Sequence, residues 1–369
     1  MRRFRLIPAI LSLAFLAGCV GGALPSPTPA PHDFAGQFDT LWANFDQRYS
    51  YFNEKGVDWN ALRAQYRARA VAATNEAELV NVVQQMLASL HDQHVVMRDP
   101  SGRVIPTYSP APSLNWNQAV WQRYVRPAGW VQGKTNWGYA SFDGIAYIAI
   151  GSWDPKQVKL TDLDAMLELF RDAPGMIVDV RMNSGGDMQM AYDFAARFAT
   201  VGRTTEYMQY RNGPQHDDLT GLVPKMLAPR GQWQFTKPVV LLIGRGSASS
   251  NENFIAAMKE LPNVTTMGDT TAGTSGNPEW LQLGAGWSYT ISRWVDYTAD
   301  KKLIEDHGIV PMVPITTTAA DFAQGHDPVL EAALAHFNIS EPNAGAERDR
   351  VEDWTSNLPQ LSAASAPLL

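Results

Sequence analysis

From Asn136 onward, short runs of β-branched and apolar residues alternate with stretches of helical period, and no other feature restricts the fold of this chain so tightly. Ile145 to Ile150 reads as a strand. A helix beginning at Thr161 sets Leu163, Met166, Leu167 and Phe170 on one face. Met176 to Val180 is a buried strand, ended by Asn183-Ser184-Gly185-Gly186 and followed by a helix from about Asp187 to Ala199. The pattern then repeats: Pro238 to Ile243 is a buried strand, Gly244 to Ser249 turns, and a helix runs to about Leu261. Val264 to Met267 and the segments around Trp280 to Thr290 supply further strands, and Asp327-Pro328 opens a last helix. Strands separated by helices pair in parallel, so residues 136–340 are expected to form an α/β core.

Ahead of that core, residues 33–95 read as a helical domain. Phe34, Phe38, Leu41, Trp42 and Phe45 recur at helical spacing, a second stretch starts at Trp59, and a third opens at Thr74 or Asn75. Residues 96–135 turn to Pro, Ser, Trp and Asn without clear period and are expected to be an irregular connection. Residues 341–369 also lack period and are expected to form a flexible tail. With 45% hydrophobic residues among 369, the chain can bury a sizeable core. Its formal charge of -7 excludes a nucleic-acid binder that works through a basic face. The single cysteine is Cys19, so the body has no disulfide, thiolate metal site or cysteine nucleophile. The sequence indicates no phosphate loop, metal or cofactor.

The first residues read as an export signal, with Arg2, Arg3 and Arg5 before an apolar run, Leu6 to Ala17, too short to span a bilayer. Leu16-Ala17-Gly18-Cys19 resembles a bacterial lipobox. That resemblance implies a signal peptide over residues 1–18, an acylated Cys19 bound to a lipid bilayer, and a Pro-rich linker over residues 19–32. The alternative is an ordinary secretory peptide cleaved near Ala17. Val20, rather than aspartate, after the cysteine implies the outer membrane, facing the periplasm.

Chemistry concentrates at the two strand-turn-helix junctions, where small residues let the backbone approach a ligand and helix N–H groups meet developing negative charge. In Gly246-Ser247-Ala248-Ser249-Ser250-Asn251-Glu252 a hydroxyl stands at a helix start. It either caps the helix or serves as a nucleophile. A serine nucleophile needs a base, and His91-Asp92-Gln93-His94 closes the helical region where a loop can reach the core. His91 and His94 could also share a metal, but no third ligand is identifiable.

Five segments then resemble one family. They are Leu90-His91-Asp92-Gln93-His94, Ile177 to Gly186, Ser247 to Glu252, Gly268-Asp269-Thr270-Thr271-Ala272-Gly273 and Glu305-Asp306-His307-Gly308-Ile309-Val310-Pro311. In that order they are similar to the motifs of tail-specific (C-terminal processing) serine peptidases and the tricorn core. The resemblance implies a crotonase-like α/β core behind a small helical domain, and ATP-independent cleavage of protein or peptide substrates. It makes Ser249 the nucleophile, with an oxyanion hole at Gly185, Gly186 and Ser250. One branch of the family uses a lysine base where this chain has Thr274. The tricorn-like branch uses residues matching His94 as base and Glu305 as its orienting group. Gln93 stands where the tricorn core has a serine and is the possible relay. The forty residues between Val95 and Thr135 are too few for the PDZ domain many members carry. The expectation is a membrane-anchored serine endopeptidase acting on envelope proteins or peptides. The alternatives are a non-catalytic binding lipoprotein on the same scaffold and an esterase.

Overall fold

The computed structural model describes residues 33–110 and 113–339. The expected signal peptide, Cys19, the Pro-rich linker and the tail after residue 340 lie outside the described residues.

The helical region is opened by side-chain caps that absorb helix N–H groups. Asp33 accepts from Gly36 N at the start of α1 (Phe34–Arg48). A short α2 (Phe52–Lys55) ends on Gly56, whose φ of 62° suits the left-handed turn. Asp58 caps α3 (Trp59–Val71), and Asn75 caps α4 (Glu76–Ala88). The chain continues through β1 (Val96–Arg98), β2 (Val104–Pro106), α5 (Gln118–Val125), β3 (Val131–Gln132), β4 (Trp137–Phe142) and β5 (Ile145–Ile150). Next come α6 (Leu160–Leu169), β6 (Met176–Asp179), α7 (Met188–Ala195), β7 (Arg203–Tyr210), β8 (Val223–Leu227), β9 (Val239–Ile243) and α8 (Ser250–Lys259). The described chain ends with β10 (Val264–Gly268), β11 (Glu279–Gly284), β12 (Trp287–Ile291), β13 (Trp294–Thr298), β14 (Val313–Pro314), α9 (Ala319–Gln324) and α10 (Pro328–His336).

The central sheet has the order β14-β10-β9-β6-β5-β4-β3. The strands from β14 to β5 are parallel, and β4 and β3 add an antiparallel edge. Period-2 alternation divides the apolar residues between two faces. Ile148, Val178, Leu241 and Ile243 pack against α6, α7 and α8, whereas Tyr147, Ile177, Val240 and Leu242 pack against α5 and α10. The architecture is therefore mixed α/β with a parallel-rich sheet.

Two expectations change. The segment read as irregular, residues 96–135, contains β1, β2, α5 and β3. Its strands are two or three residues long, too short to display a period, and α5 is a helix of only eight residues. The strands expected around Trp280 to Thr290 are present as β11 and β12, but they lie outside the central sheet of the α/β core. They form a separate antiparallel sheet, β11-β12-β1-β2, whose Leu283, Tyr289 and Ile291 complete the core of the helical region with Phe38, Phe45 and Leu87. Four helices cannot close their own apolar faces here, and a distant hairpin covers them. A third sheet, β13-β7-β8, lies between, in a stretch whose half-buried strands carry few apolar alternations. No described helix is long and apolar enough to cross a membrane.

Candidate active site

Strand β9 ends at the carboxyl edge of the sheet, and the following turn is forced into close contact with β6. A Cβ on Gly246 would stand 2.5 Å from the Arg181 carbonyl oxygen, so only glycine fits. Ser247 Oγ donates to the Val180 oxygen at 2.8 Å and pins the turn. The chain then enters α8 through Ser249, whose φ of 59° and ψ of −133° are costly for a residue with a Cβ. Ser249 N donates to the Thr274 oxygen at 2.9 Å, and Glu252 reaches back to the same N–H at 3.2 Å. Ser249 is thus the helix N-cap, and its hydroxyl also faces a histidine.

That histidine is His94, just beyond α4. The buried Asp92 carboxylate holds the loop, accepting from His94 N at 2.7 Å, Ser292 Oγ at 2.8 Å and Tyr49 Oη at 3.0 Å. His94 Nε2 lies 3.0 Å from Ser249 Oγ, and His94 Nδ1 lies 2.8 Å from the Ser275 carbonyl oxygen. A carbonyl can only accept, so Nδ1 carries the proton. In the neutral ring, Nε2 is then left as an acceptor toward the serine hydroxyl.

Glu305 is 2% exposed and does not hydrogen-bond to His94. Its Oε2 instead accepts from Ser275 N at 2.8 Å, so the expected direct carboxylate-histidine contact is replaced by the backbone of Ser275. Tyr51 Oη sits 2.6 Å from Ser275 Oγ and fixes this residue from the other side. The second oxygen, Oε1, pairs with Lys55 Nζ at 2.8 Å, and the ammonium also meets Asp306 at 2.7 Å. Burial and the Asp92 charge push the Glu305 carboxyl well up, and Lys55 pushes it back. Burial alone would lower the Lys55 ammonium, but Glu305 and Asp306 more than offset this and raise it.

The candidate anion site also differs in detail from the expectation. Gly185 N donates to Asn183 Oδ1 at 2.9 Å and is already engaged. The N–H groups of Gly186 and Ser250 have no partner among the described residues. Gly185 contributes by being small: a Cβ there would stand 2.7 Å from Ser249 Cβ. Gln93, expected as a relay, is exposed and hydrogen-bonds to no member of the group, because the Asp92-anchored turn sends it to solvent. His91 is likewise exposed and packs against Tyr108.

Sequence reasoning missed Asp92, Ser275, Lys55 and Glu252. Asp92 and Glu252 stand inside recognised motifs and Ser275 two residues beyond one, so all three are within reach of local inspection. Lys55 lies on α2 with no local signal. Glu252 is held by Thr271 Oγ1, Gly273 N, Thr274 N and Ser249 N, and burial pushes it up to about 7.

Residues 144–315 match Peptidase family S41, and residues 30–88 match the Tricorn protease C1 domain. The chain is 32% identical over 174 residues to the carboxy-terminal processing protease CtpA of Bacillus subtilis, a match covering 46% of this chain and 35% of that protein. It thus spans about a third of the length of the curated relatives it matches. A crystal structure of a candidate peptidase from Parabacteroides merdae superposes with a TM-score of 0.72 at 30% identity, covering 84% of this chain and 98% of that one. The tricorn protease shares the fold, with a TM-score of 0.54 at 16% identity over 82% of this chain and 36% of that one.

Proposed function

Since the chain belongs to peptidase family S41, we propose that it is a serine peptidase that hydrolyses protein or peptide substrates through an acyl-enzyme on Ser249. The observation that carries this reading is His94 Nε2 at 3.0 Å from Ser249 Oγ, with the ring tautomer set by the Ser275 carbonyl. His94 takes the hydroxyl proton as Ser249 attacks the substrate carbonyl, and returns it to the departing amine. The oxyanion receives the free N–H groups of Gly186 and Ser250 at the positive end of α8. Water then attacks the ester, His94 again serving as base. Glu305 acts one residue away, fixing Ser275, while Lys55 keeps the carboxylate in place. No nucleotide enters any step.

The lipobox resemblance extends the proposal to an envelope enzyme anchored through Cys19, outside the described residues. A fluorophosphonate probe tests the nucleophile. Wild type is expected to be labelled and to lose peptidase activity in step with labelling, while Ser249→Ala and His94→Ala are not labelled. Equal labelling of wild type and Ser249→Ala overturns the assignment. Parallel peptide and ester panels separate a peptidase from an esterase, and absence of turnover on both would favour a binding protein.

A further inference from the structure

Twelve tryptophans are many for a chain of this size, and four of them gather in one place. Trp116, Trp121, Trp130 and Trp137 line a cavity of about 200 Å³ with Asp179 and Met182. The rings of Trp121 and Trp130 meet edge to face, 4.8 Å apart at 80°, and Trp116 leans on Trp121 at 5.9 Å. The cavity stands at the carboxyl ends of β5 and β6, where Ile150, Gly151 and Asp179 contribute to its wall. Open α/β sheets place ligands along that edge. The tryptophan-bearing segment is fastened there: Asn115 Nδ2 donates to the Ile243 oxygen at 2.9 Å, and Arg181 Nη1 donates to the Asn115 oxygen at 3.0 Å.

We propose that this cavity is a substrate subsite for an uncharged aromatic side chain, displaced along the peptide from the bond that is cut. The inference rests on the peptidase reading of Ser249. Its location follows from chain continuity. Met182 borders the cavity and faces the turn leading to Ser249, since a Cβ on Gly246 would be 3.1 Å from its sulfur. Gly186, with its free N–H, is four residues further on. Four extended residues span at most about 14 Å, so an extended peptide reaches both places within roughly four residues.

The chemistry of the walls selects the occupant. Aromatic rings facing a carboxylate could suggest a cation, but Asp179 has no acceptor to spare. Its four acceptor sites take Arg181 N at 3.1 Å, Arg181 Nε at 3.0 Å, Arg181 Nη2 at 2.7 Å and Tyr147 Oη at 2.7 Å. Arg181 in turn pairs with Asp327, which caps α10. Gln132 is also occupied, between the Trp137 oxygen and Trp130 Nε1. An uncharged flat group therefore gains ring contacts without breaking a charge pair.

The test uses the full chain and peptides in which one tryptophan or phenylalanine is moved, residue by residue, across four positions on either side of a cleavable bond. Binding is read by anisotropy of a labelled peptide on Ser249→Ala, and turnover on the enzyme with Ser249 intact. At one position the aromatic peptide should bind at least about tenfold tighter than its alanine counterpart and show a matching gain in kcat/KM. Met182→Lys places a charge at the exposed rim, and Trp116→Ala removes a wall. Either should bring that ratio to about one, leaving kcat/KM for the alanine peptide unchanged. Preference at no position, or a ratio that survives in both variants, overturns the subsite. An aromatic preference in binding without any turnover would uphold the subsite and defeat the peptidase reading, so the two fail separately.

Discussion

Replacing Ser249 by glycine and, separately, by alanine isolates the backbone strain at this position from its chemistry. A φ of 59° with ψ of −133° is a conformation that costs a residue bearing a Cβ roughly 1–3 kcal/mol. Alanine keeps the Cβ and the strain, whereas glycine releases it. Both lose the bond between Oγ and His94, so that loss cancels in the comparison. Glycine also widens the unfolded ensemble, which costs about 0.4–1 kcal/mol. Ser249→Gly should therefore be more stable than Ser249→Ala by at least about 1 kcal/mol, because glycine's ordinary advantage over alanine at a helix N-cap adds to the released strain and outweighs the buried methyl group. Urea unfolding followed by circular dichroism and by fluorescence measures the difference, with equal m-values showing that both variants unfold from the same compact state. If alanine is as stable as glycine, position 249 is not strained. The turn ahead of α8 would then not be under tension at the residue proposed as nucleophile.

Two further outcomes follow from the buried charges. Lys55→Met leaves Glu305 buried without its cation and should cost about 3–5 kcal/mol of stability. Adding Glu305→Gln should recover part of that loss, and strictly additive effects in the double-mutant cycle would show that the pair is not coupled. The second outcome concerns pH. Burial pushes Glu252 up to about 7, and it also raises Glu206 and Asp296, with Asp296 adding to the rise at Glu206. A carboxyl whose folded pKa exceeds its unfolded value holds a proton that the unfolded chain has released. Stability is then fully present below the unfolded pKa and is lost as pH rises through the folded one. A shift from 4.5 to about 7 at Glu252 corresponds to a loss on the order of 3 kcal/mol. Thermal unfolding should accordingly move to lower temperature between pH 5 and pH 8, and a midpoint that rises over this range contradicts the assignment.

How far the sequence could be read depended on whether the determining contacts were local. The parallel strands β5, β6 and β9 announce themselves because each is buried on both faces, giving runs such as Val239 to Ile243 without polar interruption. The start of α8 was legible for a related reason: Gly246 is required by a 2.5 Å approach to Arg181, so its spacing from Ser249 is fixed. What could not be read was pairing across long stretches of chain. β1 has three residues and becomes a strand only because β12, nearly two hundred residues later, lies beside it. The helical region shares its core with the same partner strand.

The site obeys the same division. His94 and Ser249 could be named from their own motifs, and the structure brings their side chains within hydrogen-bonding distance. The route from Glu305 to His94 could not be named, because it runs through backbone atoms of Ser275, and a backbone carbonyl leaves no mark on residue identity. The expected relay at Gln93 rests on the tricorn resemblance alone, and here Asp92 bonds the His94 N–H and turns the Gln93 side chain outward. Lys55 shows how such a gap is filled: a carboxylate buried at 2% exposure must find a counter-charge, and the nearest one is supplied by a helix 250 residues earlier in the chain. A buried acid in a proposed site is therefore itself a reason to search the distant chain for a cation, even where no motif points to it.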